Sequence, residues 1–101
     1  MYREITPQEA KNIMDSCKDC VILDVRRPDE YEKGHIPGAI LIPHHLIPDM
    51  APDMIPDKDK LILVYCRSGR RSKLASQLLS DMGYNNIKEF GGILDWPYDI
   101  Q

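Results

Sequence analysis

The sequence predicts an α/β fold on an open, largely parallel sheet. Short apolar runs alternate with stretches of helical periodicity, the pattern that strands and crossover helices produce. One run, Leu61-Ile-Leu-Val-Tyr65, is apolar throughout, as a central parallel strand covered on both faces must be. No repeat, low-complexity stretch or linker divides the chain, so residues 1–101 are expected to form a single domain.

The elements follow in order. Thr6-Pro-Gln-Glu9 is a capping box with proline at the first helical position. Behind it Ala10, Ile13, Met14 and Cys17 recur at helical spacing and mark one buried face. Val21–Val25 reads as a strand, Pro28–Lys33 as a short helix stopped by Gly34, and Ala39–Ile42 as a second strand. Four of the eight prolines fall between Pro43 and Pro56, which predicts a crossover with one short helix at most. Leu61–Tyr65 is the strongest strand. Ser72–Met82 is a helix with Leu74, Ala75, Leu78, Leu79 and Met82 on one face and Gly83 as its stop. Ile87–Phe90 is expected as the last strand, and Gly91–Trp96 as a segment packing back through Trp96.

Composition narrows the function. With 43% hydrophobic and 29% charged residues the chain is an ordinary globular one. Thirteen basic residues against 16 acidic ones give a net charge of −3, which disfavours a nucleic-acid partner. The longest apolar run, Leu61–Cys66, has six residues, far below the roughly twenty that span a bilayer, so no membrane partner is expected. The N-terminal Met1–Pro7 has no signal-like apolar stretch, which points to the cytoplasm. Three cysteines cannot all pair internally; reduced thiols are expected.

The segment Cys66-Arg-Ser-Gly-Arg-Arg-Ser72 joins the central strand to the longest helix. It falls at the carboxyl edge of the sheet, where open α/β folds bind ligands. A tight turn at Gly69 would aim successive N–H groups inward as an anion nest, and the helix start adds partial positive charge there. A free thiol titrates near about 8.5, and lowering that by two units takes about 2.7 kcal/mol. A helix N-terminus supplies up to about 2 kcal/mol of this, and adjacent arginines the remainder. Cys66 therefore has the setting of an activated nucleophile. The competing reading is a buried strand-end cysteine followed by solvated arginines.

This loop resembles the active-site loop of the rhodanese (thiosulfate sulfurtransferase) family, specifically its single-domain members. Asp24-Val-Arg26 with Glu30-Tyr31 and Gly34-His-Ile-Pro-Gly-Ala39 resembles the family's first signature, and Gly91-Gly-Ile-Leu-Asp-Trp96 its C-terminal one. The resemblance implies an open, mostly parallel sheet with helices on both faces. It implies Cys66 as the nucleophile and Arg67, Ser68, Gly69, Arg70, Arg71 and Ser72 as the substrate-binding loop. The implied cycle takes sulfur from a small anionic donor such as thiosulfate, holds it as a cysteine persulfide, and passes it to cyanide, a thiol or a sulfur-relay protein. No metal or organic cofactor is implied. Where two-domain thiosulfate enzymes place basic residues, this chain has Ser68 and Glu30, with Arg70 and Arg71 positioned to compensate.

Other polar residues read more plainly. Asp24, Arg26 and Glu30 are expected to be structural, with an Arg26–Glu30 pair bracing the loops. His35 reads as structural, because a thiolate needs no base. His44 and His45 read as surface or rim residues, and Leu46, Ile47, Met50 and Met54 as core or as an apolar rim to the site. Cys17-Lys-Asp-Cys20 closes a helix before a strand and lacks further zinc ligands, so it reads as neither a redox pair nor a metal site. Two other function classes compete: a cysteine-dependent phosphatase or arsenate reductase, and a non-catalytic rhodanese-like interaction module. Phosphatases carry Cys-x5-Arg, whereas here Arg71 completes Cys-x4-Arg, a tighter ring suited to one sulfur rather than three oxygens.

Overall fold

A computed structural model describes all residues, 1–101. Five parallel strands form one sheet: β1 (Arg3–Glu4), β2 (Val21–Asp24), β3 (Ile40–Leu41), β4 (Ile62–Cys66) and β5 (Ile87–Gly92), in the order β1-β5-β4-β2-β3. The helices are α1 (Pro7–Ser16), α2 (Pro28–Lys33), α3 (Ile47–Met54) and α4 (Arg70–Asp81), with 3-10 turns at His44–Leu46 and Ile93–Asp95. No helix is long and apolar enough to cross a membrane.

Strand β4 organises both layers. All five of its residues are buried, and its alternation divides them between two cores. Ile62, Val64 and Cys66 join Leu23, Val25, Ile47, Ala51, Ala75 and Leu79, beneath α3 and α4. Leu63 and Tyr65 join Ala10, Ile36, Phe90 and Trp96 on the α1 side. The expected α/β architecture with helices on both faces is what the chain forms.

Local chemistry sets the element ends. Thr6 Oγ1 accepts the Glu9 N–H at 3.0 Å while Glu9 Oε1 accepts the Thr6 N–H at 2.9 Å, so the capping box forms in full. Helix α2 occupies the expected residues. Helix α4 starts at Arg70, two residues before the expected Ser72, because Gly69 turns the chain with φ +107° and lets both arginines enter the first turn. Strand β5 runs two residues beyond Phe90, to Gly92. The proline-rich crossover holds a two-turn helix despite Pro52 inside it, stabilised by burial of Ile47 and Ala51. Strand β1 was not expected. It is two exposed residues paired in register with Lys88 and Glu89.

A buried polar knot ties the carboxyl ends of β2 and β4. The Tyr65 hydroxyl donates to Asp24 Oδ2 at 2.7 Å and accepts the Ile36 N–H at 3.0 Å. Asp24 also accepts from the Arg26 backbone N–H at 2.9 Å and from its guanidinium at 2.7–3.0 Å. Arg26 reaches on to the Gly34 carbonyl at 2.7 Å. Tyr65→Phe leaves the Ile36 N–H without its acceptor. It should cost about 1–3 kcal/mol of stability, read from urea unfolding of the two proteins.

Candidate active site

Strand β4 ends on Cys66, and the loop Arg67–Gly69 turns directly into α4. Cys66 is buried. The left-handed backbone at Gly69 directs its N–H at Cys66 Sγ, 3.0 Å away. The first helical bond, from Lys73 N–H to Gly69 C=O, is 3.2 Å long, and the N–H groups ahead of it have no intrahelical acceptor. The Gly69 donor and the positive end of α4 lie where negative charge on sulfur would sit.

The loop lies on the end of β5. Cys66 and Gly92 are register partners beyond an irregularity at Val64–Cys66, and the Leu94 N–H binds the Arg67 carbonyl at 3.2 Å. A Cβ on Gly92 would stand 2.0 Å from the Arg67 carbonyl oxygen and 2.5 Å from Ser68 Cα. Only a bare backbone fits. Gly92 thus sets the height of the loop, a role the Gly91-Gly92 pair in the sequence signalled without explaining.

Beneath the loop is a residue that sequence reasoning missed. Glu89, 2% exposed, accepts the Ser72 hydroxyl at 2.5 Å and the Gly91 N–H at 2.9 Å, with Lys73 Nζ 3.8 Å away. Ser72 Oγ is in turn 3.4 Å from Cys66 Sγ and 3.0 Å from the Gly69 carbonyl. The signal was available: Glu89 lies two residues from Ile87, at an inward position of the strand.

The expected Arg26–Glu30 pair does not form. Arg26 is consumed by Asp24, two residues earlier, and Glu30 pairs with Arg71 across the loop, at 2.6 and 3.0 Å. Glu30 Oε1 also accepts the Arg27 N–H at 3.0 Å, at the start of α2. Arg71 holds the Glu30 carboxyl down at about 2. Arg71 and exposed Arg67 line a cleft of about 740 Å³ with Arg26, Arg27, Lys33, Asp29 and Glu30, and with Ile93, Leu94 and Ile100 as its apolar side. Ser68 and Arg70 are exposed and lie outside that lining, as do buried Cys66, Gly69 and Ser72.

The other candidates lie elsewhere. Ile47 belongs to the core, with Leu46 and Met50 packed on it, and Met54 is exposed; none of the four lines the cleft. His44 is half-buried, and burial, His45 and Arg71 together lower its pKa, whereas His45 is exposed. His35 stacks on Tyr31 at 3.8 Å and its Nδ1 lies 2.9 Å from the Tyr31 carbonyl, a structural post. Cys17 ends α1, and the Cys20 thiol faces the Cys17 carbonyl at 3.3 Å. Burial, with Cys17 beside it, pushes Cys20 up to about 11. Both precede β2, at the opposite end of the sheet from Cys66.

Fold and loop together define a class. The rhodanese-like domain family matches residues 6–97, and the chain belongs to that family. The thiosulfate sulfurtransferase PspE of Escherichia coli is 40% identical over 73 residues, covering 72% of this chain and 70% of that protein. A sulfurtransferase of Allochromatium vinosum is 35% identical over 97 residues, covering 95% and 89%. Among solved structures, a rhodanese with anions from E. coli aligns with a TM-score of 0.75 at 36% identity, over 80% of this chain and 95% of that one. A rhodanese-related protein from Thermoplasma volcanium reaches 0.84 at 32% identity, over 99% and 98%. These relatives put the chain among rhodanese-type sulfurtransferases.

Two outcomes follow from the geometry. Gly92→Ala should displace the loop by enough to lower sulfur transfer about 100-fold, since a shift near 1 Å at a reacting centre costs that much; steady-state thiocyanate assays read it. The second concerns acid. Glu30 titrates near 2 when folded and at about 4.3 when unfolded, so its pair with Arg71 stabilises the fold fully above the unfolded value. That contribution should fade as pH falls from about 4.3 towards 2. Urea curves should therefore separate wild type from Glu30→Gln most at pH 7 and least at the acid end.

Proposed function

We propose that the protein transfers sulfane sulfur through a persulfide on Cys66, from thiosulfate or another small anionic donor to cyanide or a thiol. The observation that supports this best is the Gly69 N–H held 3.0 Å from Cys66 Sγ in a loop closed by the start of α4. Donors so placed stabilise charge on sulfur without reorganising. In the first half-reaction the Cys66 thiolate attacks the donor's outer sulfur. A new S–S bond forms, and the old one breaks with its electron pair leaving on sulfite. In the second, cyanide or a thiolate attacks the terminal sulfur and the S–S pair returns to Cys66 Sγ.

Charge in the cleft is divided between tasks. Arg71 is tied to Glu30, Arg26 to Asp24 and Arg27 to Asp29, so Arg67 and Lys33 are the cations left to draw in an anionic donor. The cleft is far larger than thiosulfate, leaving room for the thiol-bearing segment of a sulfur-relay partner. The phosphatase reading fares worse on the same facts. Its bidentate arginine clamp on phosphoryl oxygens would have to come from Arg71, whose fork already grips a carboxylate. An intact thiol in this setting likewise argues against a purely non-catalytic module.

Incubation with thiosulfate should add one sulfur atom to the Cys66 peptide, removable by cyanide as thiocyanate and absent in Cys66→Ser. Mass spectrometry and a thiocyanate assay, run beside aryl-phosphate hydrolysis, read the outcome. Persulfide on Cys17 or Cys20, or phosphatase activity without transfer to cyanide, would overturn the proposal.

A further inference from the structure

The reaction as described leaves the proton of the Cys66 thiol without a destination, and the structure holds a buried carboxylate one hydroxyl away. Ser72 Oγ has a single proton and four neighbours: Glu89 Oε2 at 2.5 Å, the Gly69 carbonyl at 3.0 Å, the Gly91 carbonyl at 3.3 Å and Cys66 Sγ at 3.4 Å. The shortest contact, to Glu89 Oε2, takes the hydroxyl proton. Ser72 then turns a lone pair to Cys66, and the S–H donates to it. Sulfur, hydroxyl and carboxylate form a continuous chain of two hydrogen bonds, closed off from water by the burial of all three residues.

We propose that Glu89 is the proton partner of Cys66, the two sharing one proton through the Ser72 hydroxyl. This rests on Cys66 being the nucleophile. The Cys66 S–H bond breaks as its proton passes to Ser72 Oγ, while the Ser72 proton passes to Glu89 Oε2. The products are a thiolate, an intact hydroxyl and a neutral carboxylic acid. When the acceptor removes the sulfane sulfur and the S–S electron pair returns to Sγ, the proton runs back along the same path. Nothing is oxidised or reduced in the relay. Ser72 touches the reacting sulfur; Glu89 acts through it and is a positioning residue in that sense.

The surrounding charges are fixed points for a test. Lys73 of α4 stands 3.8 Å from Glu89 Oε1, and Glu4 of β1 is its register partner. On the Cys66 side are Arg71, held by Glu30 of α2, exposed Arg67 and Arg70, half-buried His44, and Asp24 of β2, held by Arg26. All remain in Glu89→Gln, which keeps the shape and a hydrogen bond to Ser72 but cannot take a proton.

The readout is the pH dependence of iodoacetamide alkylation, followed by mass spectrometry on the Cys66 peptide. Removing the like charge should lower the Cys66 midpoint in Glu89→Gln by about one pH unit. The acid limb of kcat/KM for thiocyanate formation should move with it. Charge alone acts through space and would keep that shift in Ser72→Ala, so the relay is read there by carbon-13 NMR: the Glu89 carboxyl signal should lose its step at the Cys66 midpoint. Equal midpoints in wild type and Glu89→Gln would overturn the proposal, since two groups that share a proton cannot titrate independently. An undiminished carboxyl step in Ser72→Ala would overturn the relay. Should either variant fail to fold, carbon-13 NMR of the wild type decides. The Glu89 carboxyl signal should step at the Cys66 midpoint and lose that step once Cys66 is alkylated; no step overturns the proposal. Alkylation needs no sulfur donor, so a shifted midpoint without thiocyanate formation would sink the sulfurtransferase reading and leave the proton pair standing.

Discussion

Backbone lying directly on backbone is the constraint on which the rest of this site depends. The loop after β4 rests on Gly92 with no space for even a methyl group between them. That contact fixes the height of Arg67 and Ser68, and so the turn at Gly69 that aims an N–H at the sulfur. It also brings the end of β5 close enough for Glu89 to reach under the loop to Ser72. A larger residue at position 92 would separate these parts together, because they share one floor.

The scaffold above that floor is rigid for a different reason. Strand β4 is buried on both faces, so each of its side chains is held by packing, and Cys66 sits at its last position. The Tyr65–Asp24–Arg26 knot then satisfies the polar groups at the same end of the sheet without using Cys66. Arg71 and Glu30 brace the loop from the outside, joining α4 to α2. A buried thiol thus lies between a dry core below and a charged cleft to one side.

Much of this was legible in the sequence, and the failures have physical causes. The capping box at Thr6, the apolar run of β4 and the six residues of α2 follow from local rules, and local rules sufficed. Strand β1 escaped because two exposed residues carry no alternation; its partner lies at the far end of the chain. The Arg26–Glu30 pair failed because four-residue spacing implies contact only within a helix, and Arg26 lies ahead of α2. Its guanidinium found the nearer carboxylate. Glu89 was readable as a charge at an inward position of β5, but its meaning depends on Ser72, which only the fold brings to it. The loop's residues were identifiable; their division into buried Ser72, cleft-lining Arg67 and Arg71, and outlying Arg70 required three dimensions.

The sheet order has a consequence for how the molecule comes into being. Strand β5, which supplies both the floor and the carboxylate, is the last strand in the chain, yet it lies between β4 and β1. Pairings so distant in sequence are slow to form, since long loops must close before the contacts repay them. During synthesis the cysteine therefore emerges well before its floor. A nascent chain carries Cys66 without the backbone that seats its loop, and the site takes shape only when the final strand slots in. Assembly order itself delays the seating of the loop until the fold is closed.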